Sequence, residues 1–384
     1  NLPVCLQGPT GVGKTSAARE FARIRPTQNK ANEPFLMHTY HAGTKPKDFY
    51  GITTISNEQV LFIDGTLTTT MVNGQTFIAD EMNLSSIPTM KSLAPALEPI
   101  NDQFLYIAGV EEPIKVNKEF FFIACQNELG TNGRNAIPRS IASRFRYFYY
   151  PEQGINDISP ICIQIAKSFY KKGEIPSFSE EESAKVGKYM LELNKLRQTI
   201  IPQWSLRDIT KLFLRIHYQE ANKDAFQNIS LYKNILFYTL SPVNSEDAKF
   251  VFDNVIKLIA ETFSLQNDQI KELKECYNSI PKIDNHYLVK GNSRILIKSF
   301  KNAEMLRKLP SLLNSMFQIL LSDLTEPILL MGPSGFKTFL AQQFLDDAKI
   351  VTLNQESTIA QLLGSSSFLS KEEAKLFYID VICK

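Results

Sequence analysis

"LQGPTGVGKTS", residues 6–16, decides how the rest of the chain is read. Within it, Gly8-Pro9-Thr10-Gly11-Val12-Gly13-Lys14-Thr15 satisfies the pattern GxxxxGK[ST], and Ser16 follows. The apolar "LPVCL" before it reads as a strand, and "TSAAREFARI" after it has helical spacing, so the loop joins a strand to a helix N-terminus. Glycines let backbone N–H groups turn inward around an anion, and the helix dipole favours negative charge there. In such a loop Lys14 reaches the β- and γ-phosphates and the Thr15 hydroxyl ligates Mg²⁺. The candidate nucleotide-binding set is therefore Gly8 through Ser16. The pattern touches phosphates alone, so it does not choose between ATP and GTP.

A phosphate loop that drives hydrolysis needs a carboxylate at a neighbouring strand end, and "GQTFIADEMNLS" supplies one. Thr76 to Ala79 form an apolar run ending in Asp80-Glu81, where Asp80 is placed to hold Mg²⁺ through water and Glu81 to polarise an attacking water. A second run, "EFFFIACQN", ends at Asn127, whose amide could orient that water. Arginines follow at Arg139, Arg144 and Arg146 in "IPRSIASRFRYFYY". "WSLRDITKLFLRI" has the spacing of an amphipathic helix, with Ser205 as N-cap and Asp208 three residues later. Arg207 lies in its first turn, against the helix dipole, which suggests a partner elsewhere for its charge.

This ordered set resembles the AAA+ ATPases, and within them the dynein-related, midasin-like clade. The most specific stretch is "FIDGTLTTTMVNGQTFIADEMNLS", with Phe62, Asp64-Gly65, Leu67, Gly74, Asp80-Glu81, Asn83 and Leu84 at the clade's positions. "QFLYIAGVEEPIKVNKEF" resembles its inserted β-hairpin, turning near Gly109 to Pro113. The resemblance implies Lys14 and Thr15 as Walker A, Asp80 and Glu81 as Walker B, Asn127 as sensor 1, Arg144 as arginine finger and Arg207 as sensor 2. It implies ATP and Mg²⁺ as cofactors and neighbouring AAA+ modules in a ring as partners. It also implies mechanical work on a macromolecular client that the sequence does not identify. Two departures stand out: Ala142 occupies a position where the clade often has a second arginine, and "NELGTNG" lacks the usual proline.

Working outward, "LMGPSGFKTF" at residues 330–339 repeats the first loop one residue shorter, with Phe336 in place of Gly13. The flanks align too: "PVCLQGPTG" with "PILLMGPSG", and "AREF" with "AQQF". A repeat at a spacing of 324 residues is what tandem modules on one chain produce. A shortened loop with a β-carbon in the phosphate path should bind nucleotide weakly, so the second module reads as degenerate. The expected architecture is α/β: a P-loop NTPase αβα sandwich on a parallel sheet (residues 1–152), an α-helical lid (153–265), a polar linker with a hairpin (266–304) and the start of a second, degenerate module (305–384). A chain that opens inside a strand and closes soon after a new loop reads as a fragment.

Composition narrows the alternatives. The net charge of +2 gives no broad footprint for nucleic acid or anionic lipid, and no apolar run reaches membrane-spanning length. Five cysteines, odd in number and never in a CxxC pair, fit a reducing intracellular compartment, cytoplasm or nucleus. Two other functions fit part of the pattern. One is a nucleotide-gated or ubiquitin-linked scaffold that uses binding more than turnover. The other is a GTP-driven motor of the same clade, though "CQNELG" is not the sensor run such motors carry. "H-x-x-H" at His38 and His41 lacks a third ligand and is read as structural.

Overall fold

The computed structural model describes residues 2–25, 33–56, 59–98, 104–106, 113–128, 133–171, 174, 176–196, 201–243, 245–297 and 306–322, with Leu330, Lys337 and Phe339 singly. The second loop and the module it would open therefore lie outside the described residues, as does the turn near Gly109 to Pro113.

Five short strands form the first sheet: β1 (Val4–Gln7), β2 (Phe35–Thr39), β5 (Thr76–Asp80), β8 (Phe121–Gln126) and β9 (Arg146–Tyr149), in the order β2-β5-β8-β1-β9. Every pairing is parallel, and the register sets Gln7 opposite Gln126 and Asp80 opposite Cys125. The carboxyl ends of β1, β5 and β8 thus finish side by side. A parallel sheet is covered on both faces, which is why its strands read as continuous apolar runs rather than alternating ones. Alternation survives in where the side chains go. Cys5, Phe77, Ala79, Phe122 and Ala124 enter one cluster, while Ile78, Ile123 and Cys125 enter another with Ala18 and Ala22. Those two alanines belong to α1 (Lys14–Ile24), and their size lets the helix lie close against the sheet.

On the other face α2 (Pro46–Tyr50) and α3 (Thr66–Asn73) flank an antiparallel hairpin, β3 (Gly51–Ser56) with β4 (Gln59–Asp64). The backbone closes beneath the hairpin: Gly65 N–H donates to Tyr50 O at 2.9 Å, and Thr68 Oγ1 donates to the same carbonyl at 2.6 Å. A short helix α4 (Ile87–Ser92) leads to the two-residue ladder of β6 (Phe104–Leu105) and β7 (Ile114–Lys115), and α5 (Arg139–Ala142) precedes β9.

A helical unit follows: α6 (Ile155–Ser168), α7 (Glu180–Lys195), α8 (Leu206–Ala221), α9 (Leu231–Leu240) and α10 (Ser245–Phe263). Their apolar stripes, among them Val186, Tyr189, Leu212, Phe213, Ile235, Val255 and Ile259, close one core. Residues 266–297, read from sequence as a polar linker with a hairpin, also hold a helix, α11 (Asn267–Asn278). Its polar exposed face hid it, because only Leu273 and Cys276 are buried. The hairpin β12 (Tyr287–Lys290) and β13 (Ser293–Leu296) turns at Gly291-Asn292 and joins β11 (Lys282–Asp284) and β10 (Phe226–Gln227) in an antiparallel sheet of order β10-β13-β12-β11. Helix α12 (Pro310–Ser322) packs on it through Leu313, Met316 and Phe317. Among the described residues no helix is long and apolar enough to cross a membrane.

Candidate nucleotide site

The loop after β1 wraps back over the carboxyl edge of the sheet. Gly11 and Gly13 take φ of 79° and 96°, the left-handed region open to glycine at no steric cost. Helix α1 then starts at Lys14 with no side-chain cap on its N-terminus and no acidic residue in its first turn. The orphan N–H groups of that turn and the positive end of the dipole are left for an anion.

The Lys14 ammonium folds back into its own loop. It donates to Gly8 O at 3.0 Å, Pro9 O at 2.5 Å and Asn127 Oδ1 at 2.7 Å, and the residue is only 6% exposed. Burial pushes its pKa below the ordinary lysine value, and the nearby Glu81 and Asp80 carboxylates pull it back up. Beside it, Thr15 Oγ1 donates to Asp80 Oδ1 at 2.8 Å. This pairs an alcohol with a carboxylate oxygen, the hard donor set that suits Mg²⁺.

Glu81 follows Asp80 in the left-handed region, φ 55° and ψ 37°, which is uncommon for a residue with a side chain. The sharp turn lifts its carboxylate off the end of β5 toward Asn127, which donates from Nδ2 to Glu81 Oε1 at 2.7 Å. Asn83, in the 3₁₀ turn Met82–Leu84, donates from Nδ2 to Asn127 O at 3.1 Å and ties the ends of β5 and β8 together. Five of the residues singled out in the sequence thus meet here, Thr15 and Asp80 as one bonded pair and Lys14, Asn127 and Glu81, with Asn83, as one hydrogen-bonded group. Lys14, Asn127 and Asn83 in it are buried.

The two arginines stand apart from it. Arg144, just past α5, directs Nε at 3.0 Å and Nη2 at 2.7 Å to Glu98 Oε1 and also donates to Ser140 O. Arg207 is exposed in the first turn of α8 and holds no ion pair with another described residue. Its helix nonetheless begins on the loop: a β-carbon added to Gly11 would lie 2.6 Å from Ser205 Cβ. The Ser205 N-cap is fixed by Asp208, whose Oδ2 accepts from Ser205 N at 2.8 Å and Oγ at 2.7 Å. Arg139 and Arg146 are exposed, the latter 5.6 Å over the Phe148 ring. His38 is half-buried against Tyr40 and Phe49, and no group of three or more potential metal ligands occurs among the described residues.

Sequence reasoning missed two residues that touch this site. Arg134 pairs with Glu81 through Nη2 to Oε2 at 3.0 Å. Gln153 donates from Nε2 to Val12 O at 2.8 Å, bracing the loop from the segment after β9. Neither sits at a telling interval from a recognised motif, and a lone arginine or glutamine in a loop carries no periodic signal.

A strand–loop–helix turn on the carboxyl edge of a parallel sheet, with an acidic pair two strands away, defines the α/β P-loop fold. Residues 3–145 match the sequence model of the AAA domain, dynein-related subfamily. The chain is 27% identical over 176 residues to midasin of Dictyostelium discoideum and 26% identical over 171 residues to midasin of Giardia intestinalis. In both cases the match covers 44% of this chain and 3% of the relative, so the chain spans a small part of proteins far longer than itself.

Proposed function

We propose that the first module binds ATP with Mg²⁺ in the loop Gly8 to Ser16 and hydrolyses it, as one unit of a multi-module mechanochemical ATPase acting on a macromolecular client. The observation that carries this reading is the convergence of Lys14, Thr15, Asp80, Glu81 and Asn127 on the carboxyl ends of three adjacent strands. Lys14 exchanges its two loop carbonyls for phosphate oxygens. Thr15 and Asp80 would hold Mg²⁺, which when bound polarises the phosphoryl oxygens. Asn127, once Lys14 leaves it, is free to face the γ-phosphate, and Glu81 accepts the proton of the attacking water. Burial of these groups makes each charge–charge interaction stronger than it would be in water.

Arg207 reaches the nucleotide from the helical unit, so that its bound state sets the position of α8 on the loop. Arg144 serves as the arginine finger of an adjacent module, which requires it to leave Glu98. By the same geometry the Lys14 site takes its finger from a neighbour. Because a finger supplied from a neighbouring chain or module is worth about 10³–10⁵ in rate, the chain alone should bind Mg-ATP and turn it over slowly. The test is single-turnover hydrolysis by the purified monomer against the same chain at concentrations where it self-assembles. Slow hydrolysis that accelerates on assembly supports the reading, and fast turnover by a proven monomer contradicts it. The Asn127 bond to Glu81 and the Glu98 bond to Arg144 also favour a binding-dominated, scaffold-like resting state over continuous turnover.

A further inference from the structure

Glu81 is held by two residues, and they hold it differently. Asn127 caps Oε1, but the same amide also accepts the Lys14 ammonium on Oδ1, so this bond belongs to a group that must rearrange when an anion draws Lys14 away. Arg134 caps Oε2, and its side chain is 11% exposed. The next residue, Asn135, donates its N–H to Asn83 O at 2.8 Å and its Nδ2 to Ser85 O at 2.9 Å. Asn83 and Ser85 themselves lie in the turn directly after Glu81. The arginine is thus laced to the same short stretch of backbone that aims the glutamate. A charge-assisted bond between a planar guanidinium and a carboxylate fixes orientation as well as distance.

We propose that Arg134 is the positioning residue for Glu81, a role that rests on the nucleotide-site reading above. It keeps Oε2 occupied throughout, so that release by Asn127 frees Oε1 alone, at one fixed orientation. The water proton then passes to Oε1 as the water oxygen bonds to the γ-phosphorus and the bridging bond to ADP breaks. Without Arg134 the side chain of Glu81 gains rotamers, and most of them aim neither oxygen at the water. Arg134 itself touches neither water nor phosphate.

The test compares wild type, Arg134→Ala, Arg134→Lys and Lys14→Ala by calorimetric Mg-ATP binding and by single-turnover hydrolysis. A positioned general base contributes about 10²–10⁴ in rate, so loss of its support should lower the hydrolysis rate constant of Arg134→Ala about 10- to 100-fold. Its dissociation constant should stay within about threefold of wild type, because the lysine and its loop are untouched. Arg134→Lys, keeping the charge without the fork, should recover part of the rate. If Arg134→Ala does not fold, Arg134→Gln is read in the same way. An unchanged or faster rate overturns the inference, and so does a loss of binding as large as the loss of rate with no rescue by lysine. Failure of wild type to bind, or binding that survives Lys14→Ala, removes the nucleotide-site reading and this inference with it.

Discussion

Among the described residues three lysines are buried, and the region around Lys14 differs from the one around Lys233 and Lys290 in what the burial accomplishes. Lys233, 2% exposed, joins Asn228 O five residues back, at 2.7 Å, to two distant groups, Asn292 Oδ1 at 2.6 Å and Glu272 Oε1 at 2.7 Å. All three of its protons are used, and the bond from Lys233 in turn holds Glu272 below the usual carboxylate range. Lys290, 4% exposed, joins Ser279 O at 2.6 Å to Asn314 Oδ1 at 2.8 Å, linking β12 to α12. Lys14 instead spends two of its three bonds on carbonyls five and six residues back in its own loop, and the third on an amide that also serves Glu81. The first two lysines clamp elements that would otherwise separate. Lys14 reaches one distant partner, Asn127, and lies beside an uncapped helix N-terminus. A buried cation that spends two of three bonds on its own loop can exchange them at little cost to the fold, which fits the nucleotide site proposed above.

Substitutions at each lysine's surroundings separate the two kinds of burial. The largest effect belongs to Glu81→Gln, which keeps the Lys14 cradle but removes the proton acceptor. Hydrolysis should fall by about 10²–10⁴ while Mg-ATP affinity stays within a few-fold, as measured by single-turnover kinetics beside calorimetry. Next comes Lys233→Met, which takes the ammonium from Asn292 Oδ1 and leaves Asn228 O to Ser293 Oγ and Glu272 to Asn292 Nδ2. It should cost about 2–3 kcal/mol in chemical denaturation yet leave nucleotide affinity unchanged, the reverse of what a Lys14 substitution does. Gly11→Ala forces a β-carbon onto a left-handed residue and toward Ser205 Cβ. It should weaken Mg-ATP binding about tenfold and lower stability by roughly 1 kcal/mol, read by titration and thermal melting.

The smallest effect is a pH dependence at Lys290, whose pKa burial lowers from 10.5 to about 8. Between those two values the unfolded chain carries a proton that the folded chain does not, so folding stability should rise with pH across that window. Relative to Lys290→Met, wild type should gain about 1 kcal/mol between pH 8 and pH 9, measured by denaturant titration at each pH. A flat difference would mean that Lys290 keeps its charge and is solvated through its partners.

How much of this was legible beforehand follows from the kind of signal each part leaves. The loop is a contiguous pattern whose glycines are dictated by backbone geometry, so Gly11 and Gly13 could be read directly. Asp80 and Asn127 were marked by the ends of the apolar runs Thr76 to Ala79 and Phe120 to Cys125, which a buried parallel sheet requires. The helical repeats of α7 to α10 show as amphipathic spacing in the same way. Helix α11 buries only Leu273 and Cys276, so the stretch looked like linker. Hairpin β3–β4 leaves Ile52, Leu61 and Ile63 exposed, so its two strands lack the usual one-sided alternation. The pairings Glu81–Arg134 and Arg144–Glu98 join residues 53 and 46 positions apart through loops, where no periodicity reports on contact.

Whether the first loop is the chain's nucleotide site is decided by calorimetric titration of Mg-ATP into wild type, Lys14→Ala and Lys337→Ala. One site is expected in wild type, weakened at least about 100-fold by Lys14→Ala through loss of charge-assisted phosphate bonds, and untouched by Lys337→Ala. Binding that survives Lys14→Ala, or that disappears only with Lys337→Ala, would contradict it.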